Sequence, residues 1–211
     1  MMKNYLLKNY LLIIFGFVSC QLFSQEAYFI AGSNFTKYTF KSLGGDMTTQ
    51  LQSGAGSTYE MGYSLPIKAE KIYYSVGVTV NDYNAVAGSQ SESYKWDTKY
   101  IGIQNAVSYN LSVSNNFQLS IKGGVNLATI IYGKQNINGS VYNLTGQDEF
   151  SGMFISPFFG GETRYKVNDL GYLTLGYAFS KSINPFNTSQ EKLSFNTNQI
   201  LFGIHFNINK N

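Results

Sequence analysis

Cysteine and histidine are nearly absent from this chain, and their scarcity excludes several classes of site. The 211 residues include one cysteine, Cys20, and one histidine, His205. If Cys20 is removed with an amino-terminal leader, neither a disulfide framework nor a cysteine-based zinc site can form. A single histidine also argues against a zinc or other transition-metal centre. We therefore expect no metal site and no cofactor.

Charge and proline are also scarce, whereas aromatic residues are abundant. Charged residues make up 13% of the chain, and there are 3 prolines, 17 tyrosines and 16 phenylalanines. Of the 15 basic residues, Lys3 and Lys8 precede Glu26, which leaves thirteen against 12 acidic residues. This balance excludes a nucleic-acid partner, which would require a basic excess. Aromatic enrichment predicts an all-β chain.

The amino terminus has the composition of a secretory signal peptide. Lys3 and Lys8 precede a short apolar run at residues 11–18, which is too short for a transmembrane helix of ~20 residues. We expect residues 1–24 to be a signal peptide and residues 25–211 to form one domain. A lipoprotein signal is the alternative, because residues 17–20 resemble a lipobox that ends at Cys20.

The rest of the chain contains eight segments in which apolar and polar residues alternate. In the last segment, Ile200, Phe202, Ile204, Phe206 and Ile208 share one face. A period of two predicts a strand whose two faces meet different surroundings. The apolar face could meet a second sheet in a soluble sandwich, or lipid in a membrane barrel. The eight segments are residues 27–40, 57–66, 72–83, 98–111, 117–132, 153–167, 171–180 and 197–208.

The connections between these segments alternate strictly in length. Four are long and rich in small polar residues, and the three between them are short. Outer-membrane barrels have long external loops and short periplasmic turns, whereas a soluble sandwich has no reason to keep this rhythm. The pattern predicts an eight-stranded antiparallel up-and-down transmembrane β-barrel with both termini in the periplasm. The long connections are residues 41–56, 84–97, 133–152 and 181–196, and the short ones are 67–71, 112–116 and 168–170.

Three short motifs carry a resemblance to a known family. Residues 32–36 read Gly-Ser-Asn-Phe-Thr, residues 62–67 read Gly-Tyr-Ser-Leu-Pro-Ile, and residues 99–103 read Lys-Tyr-Ile-Gly-Ile. Together they resemble the PorT-like family of small outer-membrane β-barrels, which have an eight-stranded barrel like those of OmpA and OmpX. The resemblance implies the outer membrane of a Gram-negative bacterium. This chain departs from the family pattern at Gly102 and Gln104, where the family has an acidic residue and a proline.

Several charged side chains fall on the face that we assign to the barrel interior. Charges inside a narrow barrel must be paired or hydrated, which predicts either a salt-bridged plug or a gated small channel. We expect Arg164, the one arginine in the chain, to meet a carboxylate such as Glu60. We also expect the three cations to be balanced by the two acids. The predicted interior network consists of Glu60, Lys122, Glu162, Arg164, Lys166 and His205.

No catalytic constellation is visible in the sequence. Small barrel enzymes that act on lipid A rely on a histidine near a serine, but His205 is followed by Phe206 and Asn207. We therefore interpret His205 as structural and expect no enzyme activity. The sequence favours a structural or interaction role in contact with outer-membrane lipid and lipopolysaccharide. The alternatives are an accessory subunit of a secretion or assembly machine, with a protein partner at the external loops or periplasmic turns, and a small channel.

Overall fold

The computed structural model describes residues 25–41, 52–68, 71–88, 93–186 and 192–208. The predicted signal peptide and Cys20 lie outside these ranges. Across the described residues, no helix is long and apolar enough to cross a membrane. The strands are β1 (Glu26–Lys41), β2 (Gln52–Lys68), β3 (Ile72–Asp82), β4 (Ala85–Gly88), β5 (Ser93–Ser112), β6 (Phe117–Ile137), β7 (Ser140–Asn143), β8 (Met153–Asn168), β9 (Gly171–Ile183) and β10 (Lys192–Asn207).

The eight long strands form one closed antiparallel ring. β1 pairs with β10 on one side and with β2 on the other. From β2 the ring continues through β3, β5, β6, β8 and β9 back to β10. The predicted eight-stranded up-and-down barrel is confirmed. We call the end of the barrel that contains Glu26 and the short turns the turn end, and the opposite end the loop end.

Side chains alternate between the interior and the outer surface along every long strand. In β3, Tyr73, Ser75 and Thr79 are buried, whereas Val76 and Val78 are exposed. The strand period places every second residue on the outer surface, and large apolar residues are exposed there on all eight long strands. Its large apolar residues include Phe29, Met61, Val78, Ile103, Ile121, Phe159, Leu175 and Phe202. The outer surface is therefore a continuous apolar belt, as expected for a surface that faces lipid.

The strands extend further beyond the loop end than the sequence predicted. β5 begins at Ser93 instead of residue 98, and β6 continues to Ile137 instead of residue 132. The short strands β4 and β7 lie in segments predicted to be loops, where β4 pairs with β2 and β5 and β7 pairs with β6. Hydrogen bonding between neighbouring strands does not require lipid, so the sheet continues after the apolar alternation has ended.

A tight hairpin joins β6 to β7. Asn138 and Gly139 occupy the turn with positive φ angles of 49° and 87°. An Asn-Gly pair suits a two-residue hairpin, because both central positions of a type I′ turn require positive φ. Four register pairs join β6 and β7 around this turn, including Gln135 with Tyr142. The dipeptide was therefore a hairpin signal in the sequence that the loop prediction did not use.

Candidate functional site in the barrel interior

The turn end of the interior contains a buried ion pair between β1 and β8. Arg164 Nη2 donates to both carboxylate oxygens of Glu26, at 2.8 Å and 2.7 Å. The two side chains are 2% and 3% exposed, respectively. The guanidinium group also lies over the ring of Tyr172, 4.6 Å from its centroid. Because β1 and β8 are not neighbours in the ring, this pair connects strands across the interior.

His205 belongs to the same group. Its Nδ1 lies 3.2 Å from Glu26 Oε2, and its ring stacks on Tyr28 with the centroids 5.3 Å apart. The Tyr28 hydroxyl in turn donates to Glu60 Oε1 at 2.7 Å. His205 is therefore buried between a carboxylate and an aromatic ring.

A second ion pair lies one layer further into the barrel. Lys122 Nζ on β6 is 3.3 Å from Glu60 Oε1 on β2, and it also lies over the Tyr28 ring. Two glycines make room for this layer, since a Cβ atom at Gly62 or at Gly77 would lie 2.7 Å from the Tyr28 hydroxyl. Tyr28 therefore links the two ion pairs through His205 on one side and Glu60 on the other.

The structure differs from the predicted network at two positions. Arg164 pairs with Glu26, and not with Glu60 or Glu162 as expected. Lys166 pairs with Asp169 at 3.1 Å, in the turn between β8 and β9, and so leaves the interior network. The physical reason is its place near the end of β8, where the side chain reaches the turn and water. Glu162 lines the chamber described below.

Polar side chains, most of them without charge, fill the middle of the interior. Thr58 donates to Asn81 at 2.6 Å, and Gln199 donates to Asn34 at 2.7 Å. A chamber of about 40 Å³ lies among these groups, which is room for only a few water molecules. Its polar lining includes Thr58, Glu60, Asn81, Gln104, Lys122, Asn126, Ser156, Glu162 and Gln199.

The loop end of the interior is filled by aromatic rings. Phe195 contacts Tyr38, Tyr83, Tyr100 and Phe154, with ring centroids between 4.7 Å and 5.9 Å apart. These rings are at most 4% exposed. The hydroxyl of Tyr38 donates to the Tyr83 carbonyl at 2.8 Å. We call this cluster the aromatic layer; its further members are Ala85, Trp96, Ala128, Leu144, Phe150 and Leu193.

Two parts of this interior were missed by the sequence reasoning, although the alternation contained both. Glu26 precedes the predicted first segment by one residue and is in phase with the inward Tyr28 and Ile30. The aromatic residues Tyr38 and Phe195 are likewise in phase with the inward Thr36 and Thr197. Extending the period of two by one or two residues beyond the predicted strand starts would have placed Glu26 and Phe195 inside, and Tyr38 already lay on the inward face of the first predicted segment.

The arrangement offers packing and ion pairing. His205 already contacts Glu26 and Tyr28. Among the described residues, no group of three histidine, cysteine or acidic side chains could hold a metal ion.

The fold is similar to those of known outer-membrane proteins. Neisserial surface protein A (NspA) matches with a TM-score of 0.51 and 16% identity, over 86% of this chain and 97% of that chain. The outer membrane protein OprG from Pseudomonas aeruginosa matches with a TM-score of 0.46 and 14% identity, over 87% and 96% of the two chains. The closed ring, the apolar belt and the similarity to NspA define the class: a small eight-stranded transmembrane β-barrel. The sequence matches no protein-family model and no curated protein.

Proposed function

We propose that this protein is a closed barrel of the Gram-negative outer membrane that anchors its loop-end segments at the cell surface. The apolar belt carries this proposal. Phe202 is 53% exposed, Ile103 is 55% exposed and Leu175 is 59% exposed. A surface with this much exposed apolar area on all eight long strands needs a lipid environment.

The interior supports a plug in place of a pore. Eight strands enclose a space just wide enough for side chains to fill. The Glu26–Arg164 pair occupies the turn end, the aromatic layer occupies the loop end, and a chamber of about 40 Å³ lies between them. A steady ion current would have to displace one of these two layers.

Electrophoresis and planar-bilayer recording test the proposal. Unboiled protein should migrate differently from boiled protein, because a closed barrel resists unfolding by detergent. An unshifted band, with recovery in the soluble periplasmic fraction, would contradict the membrane barrel. The wild-type protein should show negligible conductance in a planar bilayer. A steady, ion-selective current would contradict the plug and support the channel alternative.

Other parts of the proposal rest on the sequence. Removal of residues 1–24 as a signal peptide would deliver the chain to the periplasm, with both termini of the barrel on that side. The PorT-like resemblance stays a prediction based on three short motifs. A non-enzymatic role is supported by the contacts of His205 with Glu26 and Tyr28. The proposed partners are outer-membrane lipid and lipopolysaccharide.

A role as an accessory subunit is the second candidate, and the β6–β7 hairpin favours it. This hairpin extends beyond the ring, and Val141 and Tyr142 are 58% and 52% exposed. Exposed apolar residues outside the lipid belt are typical of protein interfaces. Affinity purification from detergent-solubilised outer membranes should then recover a stoichiometric partner that a Val141→Ser/Tyr142→Ser variant loses. A Ser140→Ala variant in the same strand is the control and should retain it.

A further inference from the structure

Two lysines and an asparagine form a row on the outer surface, near the loop end. Lys37 on β1 is the register partner of Asn196 on β10, and Asn196 is the register partner of Lys181 on β9. Lys37 and Lys181 are both exposed. Neighbouring strands lie ~4.8 Å apart, so the two lysine backbones are roughly 10 Å apart. Two flexible ammonium groups can therefore converge on one small anion in front of the Asn196 amide.

Neither lysine of the row has an acidic partner among the described residues. Two lysines toward the loop end on β5 do: Lys95 lies 3.0 Å from Asp97, and Lys99 lies 2.8 Å from Asp82. The positive charge of Lys37 on β1 and of Lys181 on β9 thus lacks the compensation found on β3 and β5.

The row lies where the apolar belt ends. One step toward the turn end, the outward register positions on the same three strands are Phe35, Asn198 and Phe179. Phe35 and Phe179 are 41% and 45% exposed. At the turn end, by contrast, the outward positions on β5 and β6 carry apolar residues such as Leu111 and Phe117. A molecule with acyl chains on the belt would bring its headgroup to the lysine row.

We infer that Lys37, Asn196 and Lys181 bind the phosphate of an outer-leaflet glycolipid of the lipid A type. This inference rests on the proposed function, because it requires the barrel to sit in a membrane with its loop end outward. The ammonium groups neutralise the phosphate charge, and the amide donates a hydrogen bond to a phosphate oxygen. The acyl chains of the same molecule cover the apolar surface around Phe35 and Phe179. Basic residues at a membrane surface attract anionic lipid in this way.

Native mass spectrometry of the purified barrel measures the interaction directly. The full-length mature barrel, in detergent, is titrated with diphosphorylated lipid A and, separately, with dephosphorylated lipid A. Each lysine should contribute about fivefold to the affinity for the phosphorylated form, so Lys37→Ala/Lys181→Ala should weaken it by roughly twenty-fivefold. Lys71→Ala, which removes an exposed charge from the turn end, is the control and should bind as the wild type does. Added salt should weaken wild-type binding.

Three results would overturn the inference. These are equal wild-type affinity for the two forms of lipid A, an equal loss in the Lys71→Ala control, and competition by millimolar inorganic phosphate, which would indicate a site for free phosphate. The heat-induced gel shift is recorded on the same samples. A barrel that shows the shift but binds both forms of lipid A equally would contradict the lysine row and leave the proposed membrane barrel unaffected. If the alanine variant does not fold, Lys37→Gln/Lys181→Gln removes the same charge with a longer side chain, and it should show the same loss.

Discussion

The two ends of the barrel interior are filled by different kinds of side chain. At the turn end, the Glu26–Arg164 pair connects β1 with β8 through two short hydrogen bonds. At the loop end, Phe195 is surrounded by four rings. The charged end depends on a few directed contacts between ions, whereas the aromatic end distributes its contacts over many rings. Loss of one group should therefore matter more at the charged end than loss of one hydrogen bond at the aromatic end.

Replacement of Arg164 at the charged end should cause the largest loss of stability. Arg164→Ala leaves the Glu26 carboxylate buried without its cation, which should cost about 3–5 kcal/mol of unfolding free energy if the site is dry. Urea unfolding in lipid vesicles measures this loss. Glu26→Gln/Arg164→Met removes both charges and should cost much less. If the single and double variants lose equal stability, burial of an unpaired charge is not the cause.

The next largest loss of stability is expected when a charge is placed on the outward face of β5. Ile103 is outward and 55% exposed, whereas Gln104 lines the interior chamber. Ile103→Arg should cost about 2–4 kcal/mol near the bilayer midplane, and Gln104→Arg should be better tolerated because its side chain reaches the polar chamber. Folding yields and urea midpoints in vesicles compare the two. The reverse order would mean that β5 is shifted by one residue.

Gly77 tests how tightly the charged end is packed around Tyr28. Besides the Tyr28 hydroxyl, a Cβ atom there would approach the Met61 carbonyl oxygen at 3.1 Å. Gly77→Ala should therefore cost about 1–3 kcal/mol through overpacking. Gly123→Ala is the matched control, because the nearest atoms to its Cβ position are 3.7 Å away. Equal unfolding midpoints for the two variants would show that the Tyr28 layer adapts without strain.

The smallest effect is expected at the aromatic end. Tyr38→Phe removes the hydrogen bond to the Tyr83 carbonyl but keeps the ring contacts with Trp96 and Phe195. The free energy of unfolding should fall by about 0.5–1.5 kcal/mol. The lower value is expected because Thr98 also donates to this carbonyl. Tyr59→Phe, on the outer surface, should leave the urea midpoint unchanged. A loss as large as that of Arg164→Ala would remove the distinction between the two ends.

The sequence predicted the membrane-facing half of the structure better than the interior. Lipid places the same demand on every outward position, so each outward residue of β10 from Ile200 to Phe206 could be assigned from apolar character alone. Inward positions meet different neighbours, because the contacts of each inward side chain are made with residues on strands across the ring. The interior placement of Glu60 and Lys122 followed from alternation, but their contact depends on how β2 and β6 face each other.

By itself, the sequence determined the eight crossing strands, their faces and the order of long and short connections, because these follow from local alternation and turn composition. The tertiary structure decided that Arg164 meets Glu26, 138 residues away along the chain. It also decided that Lys166 turns to Asp169 and that the rings around Phe195 converge. Ring closure brings distant strands together across the interior, and the period of two specifies a face but not the partner opposite it.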